Sequence, residues 1–260
     1  MYLLLVFKKR PPVKCDLFFL PRQIHLHRST ALPTLEACKW ERVSATIERN
    51  GRTMKTMKQR PDTEVCIAAM EMARDHSPPF LFNHVMRTFA FGRAAGALQG
   101  AQYDEEMLFL GSVLHDLGLV EKFIREDRFE IDGADAAADF LSRQGYSDKK
   151  IAVIWDAIAL HTTPGIPQRK QPEIALLQIG AGIDVGAIPR SIVTPETVEI
   201  ILAEYPRLGY KKAMLEAMGA VVRRKPMTGV INLMGEIGRE QEHLAIPGFC
   251  DVVMNAEFDE

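Results

Sequence analysis

"YDEEMLFLGSVLHDLG", residues 103–118, reads as a buried helix. It starts with acidic residues, as a helix N-terminus prefers, runs on through an apolar stretch, and can be ended by Gly118. A histidine and an aspartate, His115 and Asp116, stand side by side inside that stretch. Burying a carboxylate without a partner is expensive, so a counter-charge or a proton has to come from somewhere else in the chain.

The segments on either side are helical in pattern as well. Val65, Ala68, Ala69 and Met72 recur at helical spacing. Residues 77–98 open with Ser77 at an expected N-cap and Pro78 in the first turn. Residues 132–145 form an Ala-rich run that Asp132 should cap and Gly145 should close. Residues 147–165 begin at Ser147 and break at Pro164–Gly165, and residues 171–187 follow. Thr194 and Pro195 start another helix, and runs at 210–223 and 229–240 precede an acidic tail. There is no alternating strand pair, hairpin turn or internal repeat. The expected fold is all-α, a compact helical bundle.

With 260 residues, 47% apolar and 25% charged, the chain has the composition of an ordinary globular protein with a large core. A formal charge of −2 gives no reason to expect nucleic acid or an anionic membrane as partner. Cys15, Cys38, Cys66 and Cys250 lack CxxC spacing, which fits reduced thiols in a cytoplasm. No stretch reaches the ~18–20 apolar residues of a membrane span. "MYLLLVFKKRPP", residues 1–12, places its basic cluster after a short apolar run, the reverse of a signal peptide. Residues 1–55 show no sustained period, so they are expected to be a flexible or misassigned N-terminal extension ahead of a domain at 56–260.

On the helices, polar residues continue apolar stripes. Ile151, Ile154 and Ile158 lead to His161, and Ile174, Leu177 and Ala181 lead to Asp184. His84 follows Leu81 by three, and His115 follows Gly111 by four. Residues so spaced share a face. Five ionisable groups therefore point inward, and one divalent transition metal (Zn, Fe, Mn, Co or Ni, with Zn foremost) would resolve their burial. Bound to such an ion, water can lose a proton near pH ~7.

The arrangement resembles the HD superfamily of metal-dependent hydrolases, in which a His, a His-Asp doublet and a distal Asp sit on a helical core. The matching stretches are "FNHVMR" with His84, "LHDLG" with His115 and Asp116, and "GIDVG" with Asp184. "FEIDGADAAADFL", "WDAIALHTTPGI" and "FCDVVMNAEFDE" resemble the cyanamide hydratase-like branch, and the likeness spans roughly residues 60–260. The resemblance implies a single metal held by His84, His115, Asp116 and Asp184, with metal-bound hydroxide hydrating or hydrolysing a small substrate, as from cyanamide to urea. A phosphohydrolase acting on a nucleotide or other phosphoester is the alternative, and a non-catalytic sensory or scaffold domain the second alternative. His161 is a general acid/base, an orienting group or a hydrogen-bond partner of a ligand. Lys122 is a phosphate-binding or proton-shuttling group or a surface charge. Arg87 is an ion-pair donor beneath the site, and Asn83 either binds substrate or orients its helix. The expected partner is a small molecule, with no nucleic acid or membrane, and a homo-oligomer is compatible with the sequence.

Overall fold

The computed structural model describes residues 60–257; the expected N-terminal extension at 1–55 lies outside them. The described residues form ten α-helices joined by short 3-10 turns, with no strand among them. Glu64–His76 (α1) has Glu64 in its first turn and Arg74 and His76 in its last, both favourable to the helix dipole. Pro79–Gln99 (α2) has Pro79 at its first position, where the missing N–H costs nothing, and ends on Gly100 in the left-handed region. The cap is Pro78, one residue later than the expected Ser77.

Glu105–Leu114 (α3) is capped by Asp104, which accepts from the Met107 N–H at 3.1 Å. Every residue from Met107 to Leu114 is buried, as in a helix surrounded by others. Leu108, Leu110 and Leu114 are wholly enclosed, and each such burial stabilises the fold by roughly 1.5–3 kcal/mol. The helix stops at Leu114, four residues before the expected Gly118. His115 and Asp116 fall in the exit, and a 3-10 turn follows at Leu117–Leu119. Gly118 serves close packing here: a Cβ on it would collide with the Phe129 carbonyl.

Phe129–Arg143 (α4) starts before the expected cap. Asp132 lies in its first turn and instead accepts the N–H groups of Arg125 and Asp127, at 2.7 and 3.2 Å, and pairs with Lys225. Asp132 thus ties down the preceding loop. Asp148–Ala159 (α5) begins after Ser147 as the pattern predicts, but ends before Leu160, leaving His161 in a turn. Pro172–Val185 (α6) and Pro195–Glu204 (α7) follow, the latter capped by Thr194. Tyr210–Arg224 (α8) and Leu233–Glu240 (α9) come next, and the acidic tail contains a further short helix, Phe249–Met254 (α10).

The main core is built from α1 to α6, with α2 packed extensively on α6 and α4 on α5. A second cluster joins Leu119, Val120 and Phe129 to Tyr210, Val222 and Met234, tying α8 and α9 to the turn after α3. Cys66 and Cys250 are unpaired thiols, and burial raises the pKa of Cys66 to about 11. None of the described helices is long and apolar enough to cross a membrane.

Candidate metal centre

His84 projects from the second turn of α2. His115 and Asp116 come from the exit of α3, and His161 from the turn after α5. The early stop of α3 lets the doublet act together. On a regular helix, neighbouring side chains diverge by roughly 100°. Here Asp116 leaves the helical conformation, with φ −101° and ψ 16°, and its Oδ2 lies 3.3 Å from His115 Nε2 and 3.4 Å from His84 Nε2. One ligand atom from each of His84, His115 and Asp116 falls within 4.8 Å of the others, and all three residues are buried.

Each imidazole is fixed through its other nitrogen. His115 Nδ1 is 2.7 Å from the Ser112 carbonyl and His161 Nδ1 is 2.6 Å from the Ile158 carbonyl, so Nδ1–H donates in both. His84 Nδ1 lies 2.7 Å from Asp184 Oδ2, where it donates to the carboxylate. These bonds turn bare Nε2 atoms toward one space, the arrangement by which metal-binding histidines are commonly oriented. His115 Nε2 is buried and has no hydrogen-bond partner among the described residues. His161 Nε2 stands 3.7 Å from Asp116 Oδ1, its ring 4.8 Å from that of His115.

Asp184 stands apart from the group of three. It occupies the last turn of α6, and its oxygens are taken by other donors: Arg87 Nε and Nη2 at 2.7 and 2.8 Å, Arg207 Nη1 at 2.9 Å, and His84. With its acceptor sites filled, it orients His84 from behind. The sequence reading counted Asp184 with His84, His115 and Asp116 as ligands; here it meets His84 Nδ1 from outside the group of three.

The electrostatics follow the burial. Desolvation, helped by repulsion from His84, lowers the pKa of His115 to about 3. Desolvation and His115 lower that of His161 to about 4. Burial raises the pKa of Asp116, with His84 and His161 opposing the shift. Burial would raise Asp184 too, but hydrogen bonds from His84 and Arg87 outweigh it and hold the carboxyl below its ordinary value. Imidazole nitrogens beside one buried carboxylate are chemically suited to a divalent transition ion.

Asn83 donates to the Pro206 carbonyl at 2.8 Å, joining α2 to the loop before α8. Arg87 also donates to the carbonyls of Tyr205 and Pro206. Lys122 Nζ lies 2.8 Å from His76 Nε2 and over the Phe123 ring. Two residues at the cluster escaped the sequence reading, Arg207 and Tyr210. Arg207 comes from the short α7–α8 connection, where no helical period exists to mark a face, and Tyr210 is the first residue of α8. The Tyr210 ring lies 5.0 Å from that of His84.

No family model matches the chain, and no curated protein matches it either. The fold and the cluster define it as an all-α protein with a buried His84–His115–Asp116 group able to hold a metal ion.

Proposed function

We propose that the chain is a metal-dependent enzyme of the HD type that adds water to a small, neutral electrophile, in a reaction like the conversion of cyanamide to urea. The observation that carries this reading is the convergence of His84 Nε2, His115 Nε2 and the Asp116 carboxylate in a buried space, with His115 Nε2 having no hydrogen-bond partner among the described residues. These three residues would hold the ion. A divalent ion bound there supplies Lewis acidity, bringing the pKa of water from ~15.7 toward about 7.

The residues around it supply the rest. His161 rests neutral with Nε2 bare, which suits it to take a proton from the entering water. The water oxygen bonds to the nitrile carbon as one C–N π bond breaks, and His161 returns the proton to the nitrogen. Asp184, held by two arginines, keeps His84 in one tautomer and one orientation.

Charge favours a neutral substrate over a phosphoester. Phosphate recognition calls for several Arg or Lys donors aimed at the oxygens. Among the described residues, Arg87 and Arg207 reach the cluster, and both donate to Asp184, while Lys122 faces His76. The test is metal content of purified protein from supplemented medium, followed by assays for urea from cyanamide and phosphate from a phosphoester panel. Close to one ion per chain with urea release is expected. Phosphate without urea would overturn the reaction, and no bound metal would favour a non-catalytic scaffold.

A further inference from the structure

Tyr210 is the first residue of α8 and belongs to the second core cluster, yet its ring is drawn against the metal-binding group. One contact is with the His84 imidazole at 5.0 Å between centroids. The guanidinium carbons of Arg207 and Arg87 lie 4.5 and 5.3 Å from the ring centroid, so the two arginines that grip Asp184 also fix the tyrosine. The residue is 4% exposed, and its hydroxyl has no hydrogen-bond partner among the described residues. Buried phenols ordinarily find a partner, and an orphaned one asks for an explanation. Burial and the Asp116 and Asp184 carboxylates raise the pKa of this hydroxyl.

The imidazoles and the carboxylate of the cluster offer acceptors. His84, His115 and His161 each commit Nδ1–H to Asp184, Ser112 and Ile158, which leaves three bare Nε2 atoms beside the Asp116 carboxylate. The nearby arginine donors are bonded to Asp184 and to backbone carbonyls. Against these acceptors Tyr210 offers a hydroxyl hydrogen that no partner among the described residues takes.

We infer that Tyr210 Oη is the hydrogen-bond donor for the small ligand that enters the cluster, selecting molecules with a compact, lone-pair-rich end; this rests on the metal-centre reading above. The ligand's heteroatom takes the phenolic hydrogen bond that the fold leaves unused.

The test uses the full chain loaded with cobalt(II), with azide as the probe and the ligand-field absorption as the readout. Tyr210→Phe removes only the hydroxyl. It should bind cobalt as the wild type does and weaken azide about tenfold or more, equivalent to about 1.4 kcal/mol. Metal-free Tyr210→Phe should unfold at the wild-type temperature or above it, since no partner in the fold is lost. Tyr146→Phe is the contrast: its hydroxyl donates to Glu106 at 2.8 Å, so that variant should unfold earlier and bind azide normally. Cobalt spectra in both wild type and Tyr210→Phe with equal azide affinity would overturn the inference alone. A fall in unfolding temperature for Tyr210→Phe like that of Tyr146→Phe would also overturn it, by giving the hydroxyl a structural job. Absence of cobalt binding in the wild type removes the metal centre, and this inference with it.

Discussion

Arg87 meets Asp184 through two parallel contacts, Nε to Oδ1 at 2.7 Å and Nη2 to Oδ2 at 2.8 Å, and both side chains are shut away from water. Such fork-on-fork pairing fixes geometry as well as charge. It locks α2 to α6 at the level of His84, and Arg207 adds a third strut from the α7–α8 loop. Removing one partner leaves an uncompensated buried charge, at a cost of about 3–5 kcal/mol. Asp184→Ala should therefore destabilise the metal-free protein by that order in chemical denaturation. The double variant with Arg87→Met should recover part of the loss. A carboxylate whose main task was to ligate an ion would show little effect once the ion had been stripped by a chelator.

Asp116 should behave in the opposite way. It lies buried beside the imidazoles of His84, His115 and His161, and burial raises its pKa. A carboxyl with a raised folded-state pKa opposes folding increasingly as pH climbs above its unfolded value near ~3.9. Asp116→Asn should raise the unfolding temperature of the metal-free protein at pH 7 while lowering its metal content. Thermal denaturation with and without chelator, beside metal analysis, measures both. A variant that is destabilised without metal would mean the carboxylate has a partner in the fold.

The contrast between these two aspartates bears on what sequence could reveal. The helical pattern was legible throughout, and the inward direction of His84 and Asp184 followed from apolar stripes on α2 and α6 that really are regular. His115, Asp116 and His161 also face inward, but by another route: α3 and α5 end before them, and turns deliver them. Periodicity had no means of placing that stop, because Gly118 acts through its contact with Phe129 on a later helix. The ordering of Asp184 behind His84 was hidden for a similar reason. It depends on Arg207, whose position is set by a loop with Leu208 at φ 50° and Gly209 at φ 73°. Tertiary partners decided which donors each carboxylate meets.

The buried imidazoles set the acid limit of the fold. His115 and His161 have pKa values of about 3 and about 4 in the folded protein, against an ordinary value of 6.5. Between those limits the unfolded chain binds more protons than the folded one, so stability falls as pH falls. The contribution is complete above pH ~6.5 and is progressively lost between about 6.5 and 3. Metal-free protein should lose unfolding temperature steadily on acidification across that window. His161→Gln should flatten the slope. An unfolding temperature constant from pH 7 to pH 5 would show that these imidazoles are already charged or solvated in the fold.

The helix pair that carries His84 and Asp184 depends on glycine. A Cβ at Gly180 on α6 would fall inside contact distance of the Thr88 backbone carbonyl on α2, and one at Gly92 would sit 2.6 Å from the Leu176 carbonyl. Backbone cannot move aside as a side-chain end can, so Gly180→Ala must push the helices apart. Overpacking of this kind costs about 1–3 kcal/mol. Gly111→Ala is a matched control: its added Cβ meets the Leu177 Cδ1 atom at 3.0 Å, on a side chain that can rotate, and the Ala157 Cβ at an ordinary 3.9 Å. Gly180→Ala should lower the unfolding temperature more than Gly111→Ala does. It should also weaken cobalt binding, because separating α2 from α6 moves His84 away from the carboxylate that orients it. Equal stability of the two alanine variants would mean that the α2–α6 crossing is looser than the contact at Gly180 requires.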